Sequence, residues 1–588
     1  MLTFICLFFP AIFLMFTRWC IVKKRKNNHD VGCISCICEY CITNLLLNFV
    51  AVMVTCILFH HTESIETSVL QHADFACHYL IFAIVLAVIE PVIEYLIRYR
   101  VFVEGKVPRV TLRMDLILYF YTFFLFLLNF VRIFDNTFWG DEGYSIKLAK
   151  MSVSQMVEET AMDVHPPLYY LLIQLLYRCF GNNGMVYHLS AFIPYTIILI
   201  VACTVVKKRM GLIPATILVT MSSIMKSAVT YNVEVRMYAL AAMLVLVAYI
   251  ALYDIAKKDE VVSWVVFCVA SLGAAYTHYY ALISVAFLYL MLAPIAFNNS
   301  RIKRVVAAYI ATIIGYLPWL MVLVRSFTRT KNNWWLGDIP SIKDCIQFIW
   351  DYDWIVKAFI AALVMFVTYQ LNIINVGKTD EGGKNRIHIS IQLPGKVCMT
   401  NEMLWVFAGL ISICGTVAVG LGLSYALRPF FIVRYLFPVT AMAYLLFGYC
   451  ISKMKLKKLW AVILVALILW NDMPVYFDTY KTDKQENTQT KAFLTAVEPA
   501  ESAVIYTDNL HYGWTILSCY YPNKYVYTEN VLDCLNADSS EVWLFLENQL
   551  DKETEYVFTS NGYELQEVYD GFFATATCYA YKLNHNNL

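Results

Sequence analysis

Phe138-Trp-Gly-Asp-Glu-Gly-Tyr-Ser145 and, a little further on, Asp163-Val-His-Pro-Pro-Leu-Tyr-Tyr170 form a polar stretch just beyond a long apolar segment. Adjacent carboxylates and a His-Pro-Pro helix start beside a hydrocarbon-length run need support from a cavity, a partner or water. An integral membrane enzyme would keep its chemistry in such a place.

Composition agrees with that setting. The chain has 588 residues, 60% hydrophobic and 15% charged, with a formal net charge of +1. Long uncharged runs recur from the first residue, as in a polytopic helical membrane protein. The basic residues fall in short clusters between apolar runs and are not gathered on one face, which excludes nucleic acid as a partner.

Runs long enough to span occur near 1–22, 38–60, 78–97, 114–133, 185–206, 211–231, 237–255, 262–277, 279–298, 305–324, 355–376, 402–424, 432–452 and 457–474, about fourteen helices. Strict alternation places Lys23 to Lys26, Arg98 to Arg113, Lys207 to Arg209, Lys257-Lys258, Arg301 to Arg304, Lys378 to Lys396 and Lys453 to Lys458 on one side, the cytoplasm. This requires that the short run Pro167–Phe180 does not cross, and it reads as an interfacial or re-entrant helix. Residues 134–184 then form one extracytoplasmic loop. Tyr231 to Arg236, Thr277-His278, the Trp-rich loop Arg325–Asp353, Arg428 to Arg434 and everything after about 475 lie on the same side. The first helix has no basic start and no clear cleavage site, so it reads as a retained span.

Three divisions follow: extra transmembrane helices over 1–111, a transmembrane core over 112–475, and a small extracytoplasmic α/β domain over 476–588. In the last, Ser502-Ala-Val-Ile-Tyr506, Lys524-Tyr-Val-Tyr-Thr528 and Glu541-Val-Trp-Leu-Phe545 read as strands. Most of the 18 cysteines lie in apolar spans, where cysteine behaves as a small hydrophobe, and Cys519, Cys534 and Cys578 give no closed disulfide framework. Cys33, Cys36, Cys38 and Cys41 are either a compact metal site or a helix start. Glu90 and Glu94, around Pro91, fit an ion pathway or an interface-level pair bonded to the bundle.

The quoted motifs, together with Tyr231-Asn-Val-Glu-Val-Arg-Met-Tyr238, Thr277-His-Tyr-Tyr280 and Arg434-Tyr-Leu-Phe-Pro438, carry a resemblance. In order and placement the chain resembles lipid-linked-sugar glycosyltransferases of the GT-C fold, in the branch related to dolichyl-phosphate-mannose protein mannosyltransferases and aminoarabinose transferases. The resemblance covers about residues 112–475. It implies transfer of a sugar from a polyprenyl-phosphate carrier to an extracytoplasmic acceptor (cell-envelope polymer, lipid or protein) by inverting displacement. Membrane lipid is the surrounding partner.

Under the resemblance Asp141 is the catalytic base, and Glu142 either positions the acceptor or tunes Asp141. The leaving phosphate gains charge, which suits arginine; Arg428, Arg434 and Arg236 are the candidates, the alternative being arginines that anchor helix ends. Glu234 and Arg236, two apart, do not share a helix face, so each looks elsewhere. Asp163, His165, Glu234, His278 and Tyr279 are candidate substrate contacts. Asp163, His165 and His278 also have the ligand chemistry for a divalent cation, or are hydrogen-bonded structural groups. The Arg325–Asp353 loop, with Trp334 and Trp335, is a candidate lid or a membrane anchor. A transporter or flippase is the alternative function, kept open by Glu90 and Glu94.

Overall fold

The computed structural model describes residues 114–135, 137–299, 301–332, 338–371, 374–381, 384–391, 399–454, 456–508, 516–521, 523–537, 541–573 and 576–585. The expected spans before residue 98, the cysteine cluster, Glu90, Glu94 and the two tryptophans 334 and 335 lie outside them. Residues 125–177 and 182–588 form one compact unit, and the described 114–124 and 178–181 belong to another.

Among the described residues, eight helices are long and apolar enough to cross a membrane, within 117–134, 184–210, 238–257, 302–329, 353–370, 401–426, 433–452 and 457–496. The chain is a polytopic helical membrane protein. Four further apolar helices are shorter, Leu168–Phe180, Leu212–Ile224, Val261–Ala275 and Tyr279–Ile295. The first of these, α4 below, is about 20 Å long at 1.5 Å per residue, well under a hydrocarbon thickness.

The helices are α1 (Met114–Phe130), α2 (Gly140–Lys150), α3 (Val153–Met162), α4 (Leu168–Phe180), α5 (Gly184–Val201), α6 (Leu212–Ile224), α7 (Lys226–Tyr231), α8 (Tyr238–Lys257), α9 (Val261–Ala275), α10 (Tyr279–Asn299), α11 (Ile302–Asn332), α12 (Ile342–Trp350), α13 (Asp353–Gln370), α14 (Asn401–Ala426), α15 (Phe437–Ser452) and α16 (Lys457–Ala496). Local chemistry sets many starts. Ser152 and Ser341 begin capping boxes with Gln155 and Asp344, and Thr400 caps α14. The amide of Leu168, just after Pro166-Pro167, donates to the Tyr276 carbonyl at 3.0 Å, which ties α4 to the end of α9.

Burial separates centre from periphery. The α8 segment and the segment containing α15 are 83% and 94% buried, whereas the apolar windows in α11, α13 and α16 are only 22–28% buried. Helices apolar all round but half uncovered face lipid. At the centre, Tyr249 stacks on Trp405 at 4.3 Å; its hydroxyl donates to the Trp405 carbonyl, and the indole donates back to Tyr249 O. Gly448 lets α15 approach α6, since a Cβ there would stand 2.9 Å from Pro214 Cα.

Several sequence expectations change. The run 211–231 is not one helix: the backbone turns extended at Met225, between α6 and α7. The run 355–376 ends as helix at Gln370, and Ile374–Glu381 (β1) pairs antiparallel with Lys384–Ile391 (β2). The Arg325–Asp353 segment is largely helical, because α11 continues to Asn332 and α12 occupies 342–350.

α16 continues unbroken across residue 475, past Pro474, into the polar C-terminal region. There β3 (Val504–Thr507), β4 (Lys524–Tyr527), β5 (Val542–Leu546), β6 (Tyr563–Phe573) and β7 (Ala576–His585) form a sheet of order β4-β3-β5-β7-β6. β4, β3 and β5 run parallel, while β7 and β6 join antiparallel. Ile505, Trp543 and Phe545 pack with Phe493 of α16 on one face, and Tyr506, Leu544 and Leu546 pack with Phe558 on the other. Both faces are covered, as parallel strands require. Cys534 and Cys578 are buried in this region.

Candidate active site

Glu142 organises the segment that precedes and begins α2. One oxygen accepts the Trp139 amide at 3.2 Å and the other accepts the Val235 amide at 2.7 Å. Its carboxylate therefore caps α2 and clamps it to the 231–236 turn. Burial, reinforced by the nearby Glu234, pushes the Glu142 pKa well up, against the two amides.

Asp141 faces the other way. Its Oδ2, itself buried, stands 2.9 Å from Arg434 Nη2, while 26% and 19% of the two side chains remain accessible. Arg434 also lies over the Trp139 ring, 5.4 Å from its centroid. Arg236, buried, donates to the Asp141 carbonyl at 3.1 Å and to Ser145 Oγ at 3.3 Å. Three sequence motifs thus meet around one helix start. It is Arg434, and not the half-buried Arg428, that reaches Asp141.

Glu234 is buried with Oε1 lacking a hydrogen-bond partner, as does Arg236 Nε. Burial pushes the Glu234 pKa up to about 7, with Arg236 and Arg434 opposing. The segment is a turn and not a helix, so the helix-face argument does not apply to it; among the described residues no side-chain ion pair joins Glu234 and Arg236, and the Arg236 amide donates to the Glu234 carbonyl at 2.6 Å.

Beside this cluster is a cavity of about 210 Å³, lined by His165, His278, Tyr279, Ser326, Phe430 and Tyr435 among others. Tyr435, the residue after Arg434, is part of its wall, whereas Asp141 and Arg434 themselves do not line it. His165 Nδ1 is 3.1 Å from Asp163 Oδ2, and Ser326 donates to the Asp163 carbonyl at 2.7 Å. His278 Nδ1 accepts the Tyr280 amide at 3.2 Å, which leaves the proton of a neutral ring on Nε2. Burial holds the pKa values of both imidazoles below the usual value, although the Asp163 partner opposes this for His165. Tyr279 Oη accepts the Trp319 indole at 3.3 Å. Among the described residues no three His, Cys, Asp or Glu side chains are arranged to hold a metal ion. The expected trio Asp163, His165 and His278 is divided: Asp163 bonds His165, while His278 turns Nδ1 to the Tyr280 amide.

No protein-family model matches the chain, and no curated protein matches it. It is similar to two structures of ArnT from Cupriavidus metallidurans. One is in the apo state and one is bound to undecaprenyl phosphate; each has 10% sequence identity and a TM-score of 0.49, covering 78% of this chain and 97% of that one. The chemistry of the present site rests on its own residues.

Three contributors were not assigned roles from sequence. Trp139 and Tyr435 stood inside quoted motifs, where an aromatic residue next to the charged one was the available signal. Tyr520, whose hydroxyl accepts the Phe138 amide at 3.1 Å, gave no signal, being far along the chain.

Proposed function

We propose that this chain is a membrane glycosyltransferase, which moves a sugar from a polyprenyl-phosphate carrier to an acceptor on the extracytoplasmic face by inverting displacement. The observation that carries the reading is the Asp141–Arg434 pair, its side chains partly accessible, together with a mostly apolar-lined cavity walled in part by Tyr435, the residue after Arg434. A carrier lipid needs apolar surface for its chain and cations for its phosphate, and an acceptor hydroxyl needs a carboxylate.

In the resting site Arg434 neutralises Asp141. A donor phosphate arriving beside Arg434 competes for the guanidinium, with the buried Arg236 charge adding to the local field. Asp141 is then released to take the proton of the acceptor hydroxyl as its oxygen bonds to the anomeric carbon. The bond from that carbon to the phosphate oxygen breaks, its electron pair stays on the phosphate, and free polyprenyl phosphate leaves. His165 and His278, neutral, serve as hydrogen-bonding groups of the cavity wall.

The test uses purified protein in lipid discs, labelled polyprenyl-phosphate sugars and envelope extract, with release of free carrier phosphate as readout. Wild type should turn over at least one donor, and Asp141→Asn should lower the rate roughly 10²- to 10⁴-fold with donor binding retained. Movement of carrier lipid across the bilayer with no sugar transfer from any donor would replace this reading with a flippase.

A further inference from the structure

The C-terminal region grips the segment that carries Asp141. Thr137 Oγ1 and Thr490 Oγ1 are 3.1 Å apart, the Phe138 amide donates to Tyr520 Oη at 3.1 Å, and Lys150 Nζ donates to the Cys519 carbonyl at 3.2 Å. Cys519 Sγ lies 3.7 Å from the Gly143 carbonyl. Residues before α2, within it and at its end are thus all held by Thr490, Cys519 and Tyr520. The hold is stiff, because the Tyr520 ring packs on Phe573 at 5.1 Å and Phe573 stacks on Phe493 at 3.9 Å, inside the sheet's core.

Successive amides divide the work at the start of α2. Trp139 N–H is held by Glu142 from inside the helix, and Phe138 N–H by Tyr520 from outside. The first bond fixes the helix end relative to itself. The second fixes it relative to the rest of the molecule, and with it the direction in which Asp141 points. Sub-ångström placement of a general base governs rate far more than substrate affinity.

From this geometry we infer that Tyr520 is a positioning residue of the transferase site, and that the C-terminal domain is a working part of the catalytic apparatus. The inference rests on the transferase reading and adds to it a residue that the sequence motifs do not contain. Tyr520 acts through the Phe138 amide and touches neither donor nor acceptor.

Tyr520→Phe keeps the ring packing and deletes one acceptor. Tyr581→Phe is the control: its hydroxyl also accepts a backbone amide, that of Leu550 at 3.4 Å, but inside the sheet region. With full-length protein in lipid discs, Tyr520→Phe should lower kcat about tenfold with donor KM unchanged, and hydrogen exchange across residues 138–148 should quicken. Tyr581→Phe should do neither. Unchanged exchange in Tyr520→Phe, unchanged kcat in an otherwise active enzyme, or equal losses in both variants would overturn the inference. Absence of transfer by the wild type would fell the transferase reading itself, and the exchange comparison would still decide whether Tyr520 holds the helix.

Discussion

Arg434 Nη2 stands 2.9 Å from Asp141 Oδ2 while the guanidinium lies over the Trp139 ring. The contact is one of charge, since no N–H of the guanidinium is aligned on that oxygen. A loosely aligned, partly accessible pair is easily exchanged for a phosphate, whose oxygens a planar guanidinium can bind two at a time.

Arg434→Ala should therefore weaken binding of a polyprenyl-phosphate sugar by about 1.5–3 kcal/mol, measured by titration into lipid discs. Arg434→Lys should recover only part, because an ammonium is a point charge. Full donor affinity in a folded Arg434→Ala protein would reassign the residue to holding Asp141 and the 433–436 turn.

Glu142 should behave differently from its neighbour. Both its oxygens are engaged by amides, so Glu142→Ala removes the cap of α2 and its tie to Val235 together. Loss of roughly 2 to 4 kcal/mol of stability is expected, seen as a lowered unfolding midpoint. Glu142→Gln retains one acceptor and should fall between. An Ala variant as stable as wild type would show that the clamp is dispensable.

Glu234 supplies a pH dependence. Its pKa rises from 4.5 unfolded to about 7 folded, chiefly through burial. The folded state holds the proton over that interval while the unfolded state has released it, so the stability contribution is full below 4.5 and is lost as pH rises toward 7. Glu234→Gln cannot ionise. Its midpoint relative to wild type should climb between these two pH values and level off above; a flat difference across the interval would mean that Glu234 is ionised throughout.

The convergence of Asp141, Arg236 and Arg434 was legible because each motif sits next to a helix end, and apolar runs of spanning length bring such ends to one level. Both arginines follow the same helix, and the sequence favoured Arg434 only through its tract Arg434-Tyr-Leu-Phe-Pro438; what aims its side chain, the 3₁₀ turn Val433–Leu436, was not legible. Hydropathy also hides interruptions. Met225 and Lys226 break an apolar stretch whose average stays high, and Ile374–Glu381 is apolar enough at its start to extend a span yet alternates as a strand. The strands near 504, 524 and 542 were readable from their β-branched and aromatic content. The grip of Thr490, Cys519 and Tyr520 on the α2 segment was not, because it depends on pairs such as Phe138 and Tyr520, distant in sequence and ordinary in type.

Gly448→Ala tests packing apart from chemistry. A Cβ would stand 2.9 Å from Pro214 Cα, and backbone cannot yield as a flexible side chain can. The α6–α15 contact should be forced apart at a cost of about 1–3 kcal/mol, read as a lower unfolding midpoint. Donor affinity of the folded fraction should be unchanged. An unaltered midpoint would mean that the two helices have room to separate.

The arrangement in the membrane turns on Leu168–Phe180. At 13 residues it is too short to cross without help, and its buried side chains Tyr169, Tyr170 and Ile173 point it into protein as much as lipid. If it does not cross, the Asp141 segment and the Tyr231–Arg236 turn face the same compartment. Tags near Lys208 and Lys384 should then be cytoplasmic, and tags at Asn182 and the C-terminus external, as scored by labelling of intact cells. Asn182 is the discriminating site, since Tyr187 bonds its side chain at 2.6 Å just before the following span. A cytoplasmic tag there would put α4 across the bilayer. The alternation that gathers Asp141, Glu234 and Arg434 on the outer face would then have to be redrawn.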